Sequence, residues 1–283
     1  MRELNELSEW RAVGDESRAA GRIVGLVPTM GALHDGHRAL IRAAKDHGDL
    51  VVATIFVNPR QFNDADDLAR YPRTLAADRE VAASAGVDVL VVPTLEAMWP
   101  DFPGATRTSV HVAELGDVLE GEGRPGHFAG VASVVAKLFN LTGACRAYFG
   151  EKDFQQLTVV RQMVRDLSMP VEVVNCPIVR DADGLALSSR NVRLSPSGRA
   201  RALALSRAIA AVANGPATAS SLRALLRATL DEATLAVEYA DVVDSHHLRA
   251  MGDDASGPAR AVVAAVVEGV RLIDNGPVEL VKG

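Results

Sequence analysis

Cysteine and aromatic residues are scarce in this sequence. Only two of its 283 residues are cysteines, Cys145 and Cys176, and aromatic residues make up 4%. Two cysteines are too few for a disulfide scaffold and are not spaced as a metal-binding pair, so we interpret them as buried thiols in a reducing compartment. Apolar residues make up 48%. The core of one large domain or two modest ones must therefore be built from valine, alanine and leucine.

Long apolar runs and an excess of positive charge are also missing. No run reaches the roughly 20 apolar residues of a membrane span, and the N-terminal residues lack the basic-then-apolar pattern of a secretory signal. We therefore expect a cytoplasmic protein without a membrane partner. The formal net charge of −6 argues against a general nucleic-acid binder, because phosphate backbones attract basic surfaces. It is compatible with a small anionic ligand held by a few local cations.

The sequence does contain β-branched runs that alternate with helical patterns. The run "DLVVATIFV" is rich in β-branched residues, which is typical of a strand buried on both faces. Asp35 is predicted to cap one helix and Gly48 to end it. The predicted strands are 22–27, 49–57, 87–92, 146–150 and 171–179, and the predicted helices are 36–47, 74–85, 129–142 and 153–167. This alternation predicts an α/β fold with a parallel sheet flanked by helices.

The character of the chain changes near residue 177. Two alanine- and arginine-rich stretches, 195–213 and 218–233, have helical patterns, and 236–244 and 260–275 look like strands of a smaller sheet. We therefore predict a Rossmann-like domain at 1–176 and a smaller α+β domain at 177–283.

Four polar segments follow predicted strands. They are "PTMGALHDGH" (28–37), "NPRQF" (58–62), "GEKDFQQ" (150–156) and "RDADGLALSSRN" (180–191). In open parallel sheets, ligands bind at the carboxyl ends of the strands. We therefore expect these four segments to contribute to one site.

The first segment has the features of an anion site. His34 and His37 lie three residues apart at a helix start, where backbone N–H groups attract negative charge. Gly31 and Gly36 allow a ligand to approach the backbone. The alternative is that both histidines are solvated or satisfied within the fold. The segment is neither a Walker A loop nor a three-glycine dinucleotide fingerprint.

Longer sequence motifs narrow the choice of protein family. "HDGH" resembles the HIGH signature of the nucleotidyltransferase superfamily. Between Pro28 and Asn191, "PTMGALHDGH", "VNPRQF", "YPRT", "RPGHFAGV", "FGEKDFQQL" and "GLALSSRN" resemble, in order, the motifs of the pantoate–β-alanine ligase family. The resemblance implies a Rossmann-like homodimer. It also implies that pantoate reacts with MgATP to give a pantoyl adenylate, which β-alanine then converts to pantothenate and AMP.

The resemblance also implies roles for individual residues. His37, His34 and Lys152 are the implied catalytic residues, with His37 credited as a proton donor. ATP contacts are implied for Met30, Gly31, His34, His37, Gly150, Lys152, Asp153, Val179, Leu187, Ser188, Ser189 and Arg190. Gln61 and Gln156 match two glutamines that bind pantoate in the family. An amide suits this role because it both donates and accepts hydrogen bonds. Leu187 stands where the family usually has methionine, a change of little consequence for volume.

Several positions keep two interpretations. Asp78 is the carboxylate that we expect nearest to Mg²⁺, or else an ordinary charge on a helix surface. Asp153 binds ribose or caps the following helix. The segment "RDADG" has turn residues and no apolar anchor before Leu185, which predicts a loosely packed lid that closes on the nucleotide. His127 matches a family string but receives no role.

Two other functions remain open at this point. One is a different adenylate-forming or nucleotidyl-transferring enzyme on the same fold, which would not require the Gln61 and Gln156 pair. The other is an RNA-binding, synthetase-like protein or a nucleotide sensor without catalysis, which the acidic balance and the full set of phosphate donors disfavour.

Overall fold

A computed structural model describes residues 1–213 and 215–283. The chain forms two compact units, one of residues 1–151 and 159–177, the other of 152–158 and 178–283. The sequence pattern indicates one boundary near residue 177 and gives no sign that residues 152–158 group with the C-terminal part. The predicted closure of the smaller domain over ATP stays a prediction.

The first unit contains a six-stranded parallel sheet. Its strands are β1 Arg2–Leu4, β2 Val24–Thr29, β3 Leu50–Ile55, β4 Val89–Val91, β5 Cys145–Gly150 and β6 Val171–Cys176, in the spatial order β1-β4-β3-β2-β5-β6. All six residues of β3 are buried, as the β-branched run predicts for a strand covered on both faces. Both cysteines are buried, as predicted, and burial raises the pKa of the Cys145 thiol to about 12 and that of Cys176 to about 11.

Helices surround this sheet. They are α1 Leu7–Ala19, α2 Asp35–Asp46, α3 Ala65–Arg70, α4 Leu75–Ala85, α5 Leu95–Met98, α6 Glu120–Gly123, α7 His127–Thr142 and α8 Phe154–Asp166, the last of which runs across the unit boundary. Helix α2 packs on β2, β3 and β5, whereas α7 packs on β2 and α1. The core on the α2 side joins Val27, Ile41, Val51, Leu90 and Tyr148.

The second unit is a small α+β layer. Helices α9 Pro196–Val212 and α10 Ala219–Asp231 pack with the antiparallel strands β7 Ala236–Val243, β8 Gly257–Val267 and β9 Val270–Leu280, in the order β7-β8-β9. Glu268 and Gly269 connect β8 to β9, and both have positive φ, 53° and 73°. This is the two-residue turn that matches the twist of antiparallel strands.

The predicted fold class is confirmed, and most predicted elements lie within a few residues of the observed ones. The predicted cap of α2 is wrong, because the N-cap residue is His34 and not Asp35. Strand β6 ends at Cys176, before the predicted Val179.

Helix α1 was missed by the sequence pattern. Gly14 in its middle weakens the helical pattern. The structure shows why glycine stands there, since a Cβ atom would lie 2.6 Å from the carbonyl oxygen of Thr142 on the neighbouring helix α7. Among the described residues, no helix is both long and apolar enough to cross a membrane.

Candidate active site

The segment after β2 turns sharply at Gly31. Its φ is +82°, and a Cβ atom there would lie 2.9 Å from Oδ2 of Asp78 and 3.1 Å from Cγ2 of Ile55. Both the backbone conformation and the crowding require glycine. The turn brings the chain to His34, where α2 begins.

His34 and His37 form a reciprocal cap on α2. Nδ1 of His34 accepts from the backbone N–H of Gly36 (3.1 Å), and Nδ1 of His37 accepts from the backbone N–H of His34 (3.2 Å). The ring centroids are 4.1 Å apart. An accepting ring nitrogen carries no proton, so each neutral imidazole holds its proton on Nε2. The start of this 12-residue helix therefore has two imidazole N–H donors in addition to its backbone groups.

Asp78 holds this segment in place. Its side chain is buried, at 2% exposure, and it accepts from the N–H groups of Ala32 (3.0 Å) and Leu33 (2.7 Å) and from the hydroxyl of Thr74 (3.3 Å). The interpretation as a surface charge is therefore wrong. Its role beside Mg²⁺ stays a prediction, and within residues 1–213 and 215–283 no three His, Cys, Asp or Glu side chains form a cluster that could hold a metal.

Gln61 is buried, and its amide has a defined orientation. It lies in the 3₁₀ turn Pro59–Gln61. The indole N–H of Trp99, which is only a donor, donates to Oδ1 of Asn58 (3.0 Å). Nδ2 of Asn58 must then be the donor to Oε1 of Gln61 (3.0 Å). The remaining polar group of Gln61, its NH₂, is consequently presented as a donor.

Helix α7 supports the same turn from its own first residues. Nδ1 of His127 donates to the backbone carbonyl of Gln61 (2.6 Å), and the carbonyl of Gly130 accepts from Asn58 (3.2 Å). A Cβ atom on Gly130 would collide with the carbonyl oxygen of Arg60. The string "RPGHFAGV" thus positions Gln61. Sequence reasoning missed this role, and also missed Asn58 and Trp99, because Trp99 lies 41 residues from Asn58 and His127 lies 66 residues from Gln61.

A cavity of about 390 Å³ opens in the first unit at the carboxyl ends of β3 and β4. Met30 lines it together with apolar side chains such as Ile55, Val57 and Val92. A mostly apolar enclosure with a few polar groups is typical of small-molecule sites. Of the residues with predicted ATP contacts, only Met30 lines this cavity in the described part of the chain.

Gly150 ends β5 in open surroundings. A Cβ atom there would meet nothing within 4 Å in the described part of the chain. The open space is compatible with the predicted close approach of a nucleotide. Residues Glu151–Asp153 continue as a 3₁₀ turn in which Nζ of Lys152 lies 3.4 Å from Oδ1 of Asp153. Gln156 follows half-buried on α8.

The segment 178–191 is well anchored within the second unit. Leu185 and Ala186 are buried, and the N–H of Leu187 donates to the carbonyl of Val179 (3.0 Å). Arg199 on α9 pairs with Asp181 and Asp183, the latter at 2.8 Å. Charged partners on another element of the same unit therefore hold the turn that lacks an apolar anchor, and the closure of this segment on a nucleotide stays a prediction.

Ser188, Ser189 and Arg190 are half-buried at the end of this segment. The hydroxyl of Ser188 accepts from the N–H of Arg190 (3.3 Å) and caps a 3₁₀ turn over Ser189–Arg193. Nδ2 of Asn191 donates to the carbonyl of Ala186 (3.0 Å). This part of the chain is therefore held by hydrogen bonds and is not fully solvated.

Each unit carries part of the predicted site. The first unit contains Met30, Gly31, His34, His37, Gln61, Asp78 and Gly150, and the second contains Lys152, Asp153, Gln156, Val179, Leu187, Ser188, Ser189 and Arg190. Their individual roles stay predictions.

Comparisons with known proteins agree along the whole chain. The family model described as pantoate-beta-alanine ligase matches residues 2–277. The pantothenate synthetase of Ruegeria pomeroyi is 50% identical over 276 residues, which cover 96% of this chain and 95% of that protein. That of Thermobifida fusca is 51% identical over 269 residues, covering 92% of this chain and 90% of that protein.

Solved structures agree as well. The crystal structure of pantothenate synthetase from Thermus thermophilus has a TM-score of 0.89 at 44% identity and covers 98% of this chain and 99% of its own. The Francisella tularensis pantoate-beta-alanine ligase complexed with beta-gamma ATP and beta-alanine has a TM-score of 0.81 at 32% identity, covering 98% and 97%. The chain therefore belongs to the pantoate–β-alanine ligase family and is a ligase.

Proposed function

We propose that this chain condenses (R)-pantoate with β-alanine in two steps at the expense of ATP. A pantoate carboxylate oxygen attacks the α-phosphorus, the bond to the β-phosphate oxygen breaks, and pyrophosphate leaves. The β-alanine amine, as the neutral base, then attacks the acyl carbon and loses a proton, and AMP departs. The observation that carries the proposal is the His34–His37 cap, because it fixes two imidazoles at a helix start with Nε2 as the protonated nitrogen of each.

The donors suit the first step. Adenylation places negative charge on the departing pyrophosphate, and preorganised donors stabilise such charge without reorganising. His34 and His37 supply Nε2–H groups that their Nδ1 contacts hold in one orientation. We assign Lys152 as a further point charge and Arg190 as a fork of donors for phosphate oxygens.

The orientation of Gln61 suits the acid. Because its Oε1 is occupied by Asn58, the group it presents is an NH₂ donor. A donor attracts a carboxylate oxygen, whereas a carbonyl in its place would repel it. We therefore assign Gln61 to pantoate, with Gln156 as the second amide.

Magnesium enters this scheme as part of the substrate. Mg²⁺ is bound in such sites by phosphate oxygens, waters and one or two carboxylates. Both carboxylate oxygens of Asp78 already accept from backbone N–H groups, and each keeps a further lone pair, so its place beside Mg²⁺ stays a prediction. We propose that the ion arrives as MgATP. We also expect the cytoplasmic homodimer that the family resemblance implies, which light scattering of the purified protein tests.

The decisive experiment is acid-dependent exchange of labelled pyrophosphate into ATP. With MgATP and pantoate but no β-alanine, we expect exchange, because the adenylate forms before the amine is used. Reactions without acid, and with pantoate analogues lacking a hydroxyl, are the controls. Strict dependence on β-alanine, or equal exchange with unrelated acids, contradicts the proposal.

A further inference from the structure

Two adjacent polar residues lie buried in the last strand of the second unit. Asp274 and Asn275, on β9, are 2% and 4% exposed. No motif singled them out. Buried polar side chains are costly unless hydrogen-bonded, so the partners of these two indicate what they do.

Asp274 holds the turn that leads to the serine–arginine loop. Its carboxylate accepts hydrogen bonds from both terminal nitrogens of Arg180, at 2.6 and 3.0 Å. This bidentate arrangement fixes the orientation of the guanidinium. The same guanidinium donates to the carbonyl of Gly184 (3.2 Å) and so closes the turn. The backbone N–H of Asn275 also donates to this carboxylate (2.8 Å).

Asn275 holds the backbone of Lys152. Its Oδ1 accepts from Nε of Arg260 (2.8 Å), which is only a donor, so its Nδ2 is the group that donates to the carbonyl of Lys152 (2.9 Å). The Arg260 guanidinium also lies over the ring of Phe154, at 4.2 Å from its centroid. Two contacts therefore tie the segment around Lys152 to the β8–β9 hairpin.

We propose that Asp274 and Asn275 are a positioning pair that sets Lys152 and the Ser188–Arg190 loop on one rigid strand. The inference rests on the proposed function, in which both segments bind the nucleotide. Displacing a reacting or charged group by about 1 Å costs roughly 10²-fold in rate. Because both segments are bound to one strand, the distance between Lys152 and Arg190 stays constant when other parts of the chain move.

The test is a double-mutant cycle between Asn275→Ala and Lys152→Ala. We expect Asn275→Ala to slow single-turnover adenylation about 10- to 100-fold in the wild-type background and less than about twofold in the Lys152→Ala background. If the two sites are independent, Asn275→Ala lowers the adenylation rate by the same factor in both backgrounds. Calorimetric binding of a non-reacting MgATP analogue is measured on the same four proteins and should show the same coupling.

Two further variants separate positioning from stability. Asn275→Asp still accepts from Arg260 but cannot donate to the carbonyl of Lys152, so we expect it to be as slow as Asn275→Ala. Val278→Ala removes buried methyl groups from the same strand and leaves the polar side chains of Asp274 and Asn275 in place. It should lower Tm while the adenylation rate stays within about twofold of wild type.

The proposal of a positioning pair would be overturned if Asn275→Ala slowed adenylation equally in both backgrounds. A rate loss in Val278→Ala as large as that in Asn275→Ala would also overturn it. The proposed function fails in a different way. If wild-type protein shows no pantoate-dependent exchange but the analogue-binding cycle remains coupled, the assigned acid is wrong and the positioning pair is supported.

Discussion

At the scale of single residues, donor-only groups decide the chemistry of their neighbours. Backbone N–H groups occupy Nδ1 of His34 and His37, and this leaves Nε2 as the position of the proton. The Trp99 indole does the same for Asn58, and through it for Gln61. In each case the remaining polar group of the side chain carries a proton, which is the polarity that phosphates and carboxylates require.

His37→Asn tests the outward donor separately from the cap. The asparagine oxygen occupies roughly the place of Nδ1 and can still cap α2, but no group replaces Nε2–H. Losing one preorganised donor costs about 10²–10³ in rate, and we expect that loss in single-turnover adenylation. The exposed His246→Ala is the control. An adenylation rate within about threefold of wild type would refute the role of His37.

Trp99→Phe tests the amide orientation. Without the indole donor, only the Arg60 N–H (3.3 Å) and the Gly130 carbonyl still orient the Asn58 amide, so its hold on Gln61 weakens and the KM for pantoate should rise. Losing one buried hydrogen-bond partner costs about 1–3 kcal/mol, or roughly 5- to 150-fold. Calorimetry should give an unchanged Kd for ATP.

Trp10→Phe is the matched control for this variant. Trp10 is fully buried, and within the described residues its indole nitrogen has no hydrogen-bond partner. The substitution should leave the KM for pantoate unchanged. A similar rise in both variants would mean that core packing, and not amide orientation, is responsible.

At the scale of elements, ion pairs replace apolar anchors in the segment 178–191. The Arg199 guanidinium, by hydrogen bonding, holds the pKa of the Asp183 carboxyl below its usual value. The N–H of Asp181 donates to the carbonyl of Leu185 (2.8 Å). The segment therefore has hydrogen-bond and ion-pair partners within its own unit, and these contacts predict slow hydrogen exchange of its amides.

We expect the amides of Asp181 and Leu187 to be protected without ligand at neutral pH. Arg199→Ala should raise their exchange rates. Arg201→Ala, on the same helix but paired at 3.8 Å with Glu268 and not with this turn, should leave them unchanged. Exchange at the rate of an unstructured peptide in the wild type would contradict this.

The same contacts predict a pH dependence. A carboxyl with a lowered pKa in the folded state stabilises it above the unfolded pKa, about 3.9 for aspartate, and loses that contribution as the pH falls through the folded value. Protection of the turn should therefore weaken below about pH 4, once exchange rates are corrected for the intrinsic effect of pH. The amides of β8 serve as the internal reference.

At the scale of the whole molecule, ligand binding should raise the stability of the folded state. A ligand that binds only the folded state adds about 2.7 kcal/mol at roughly 100 times its Kd. MgATP should raise Tm, and EDTA should reduce the shift, because the phosphates then lose the cation that offsets their charge. An equal shift with and without EDTA would show that the ion is not part of the bound substrate.

Much of this protein was determined by its sequence alone. The β-branched runs and helical spacings were enough for the strands, the helices and the α/β class, because these patterns are local and report burial directly. The motif strings identified the family. The helix start at the histidines was also readable, although its cap was assigned to Asp35 in place of His34.

The tertiary structure decided which hydrogen-bonding groups meet. Trp99 reaches Asn58 across 41 residues, and Asn275 reaches Lys152 across 123. Asp78 turned out to be a buried support for the glycine turn because β-strand order brings α4 beside it. A sequence records the periodicity of single elements, whereas the partner of a buried polar group depends on how distant elements pack. The orientation of each donor in the site is therefore a property of the fold.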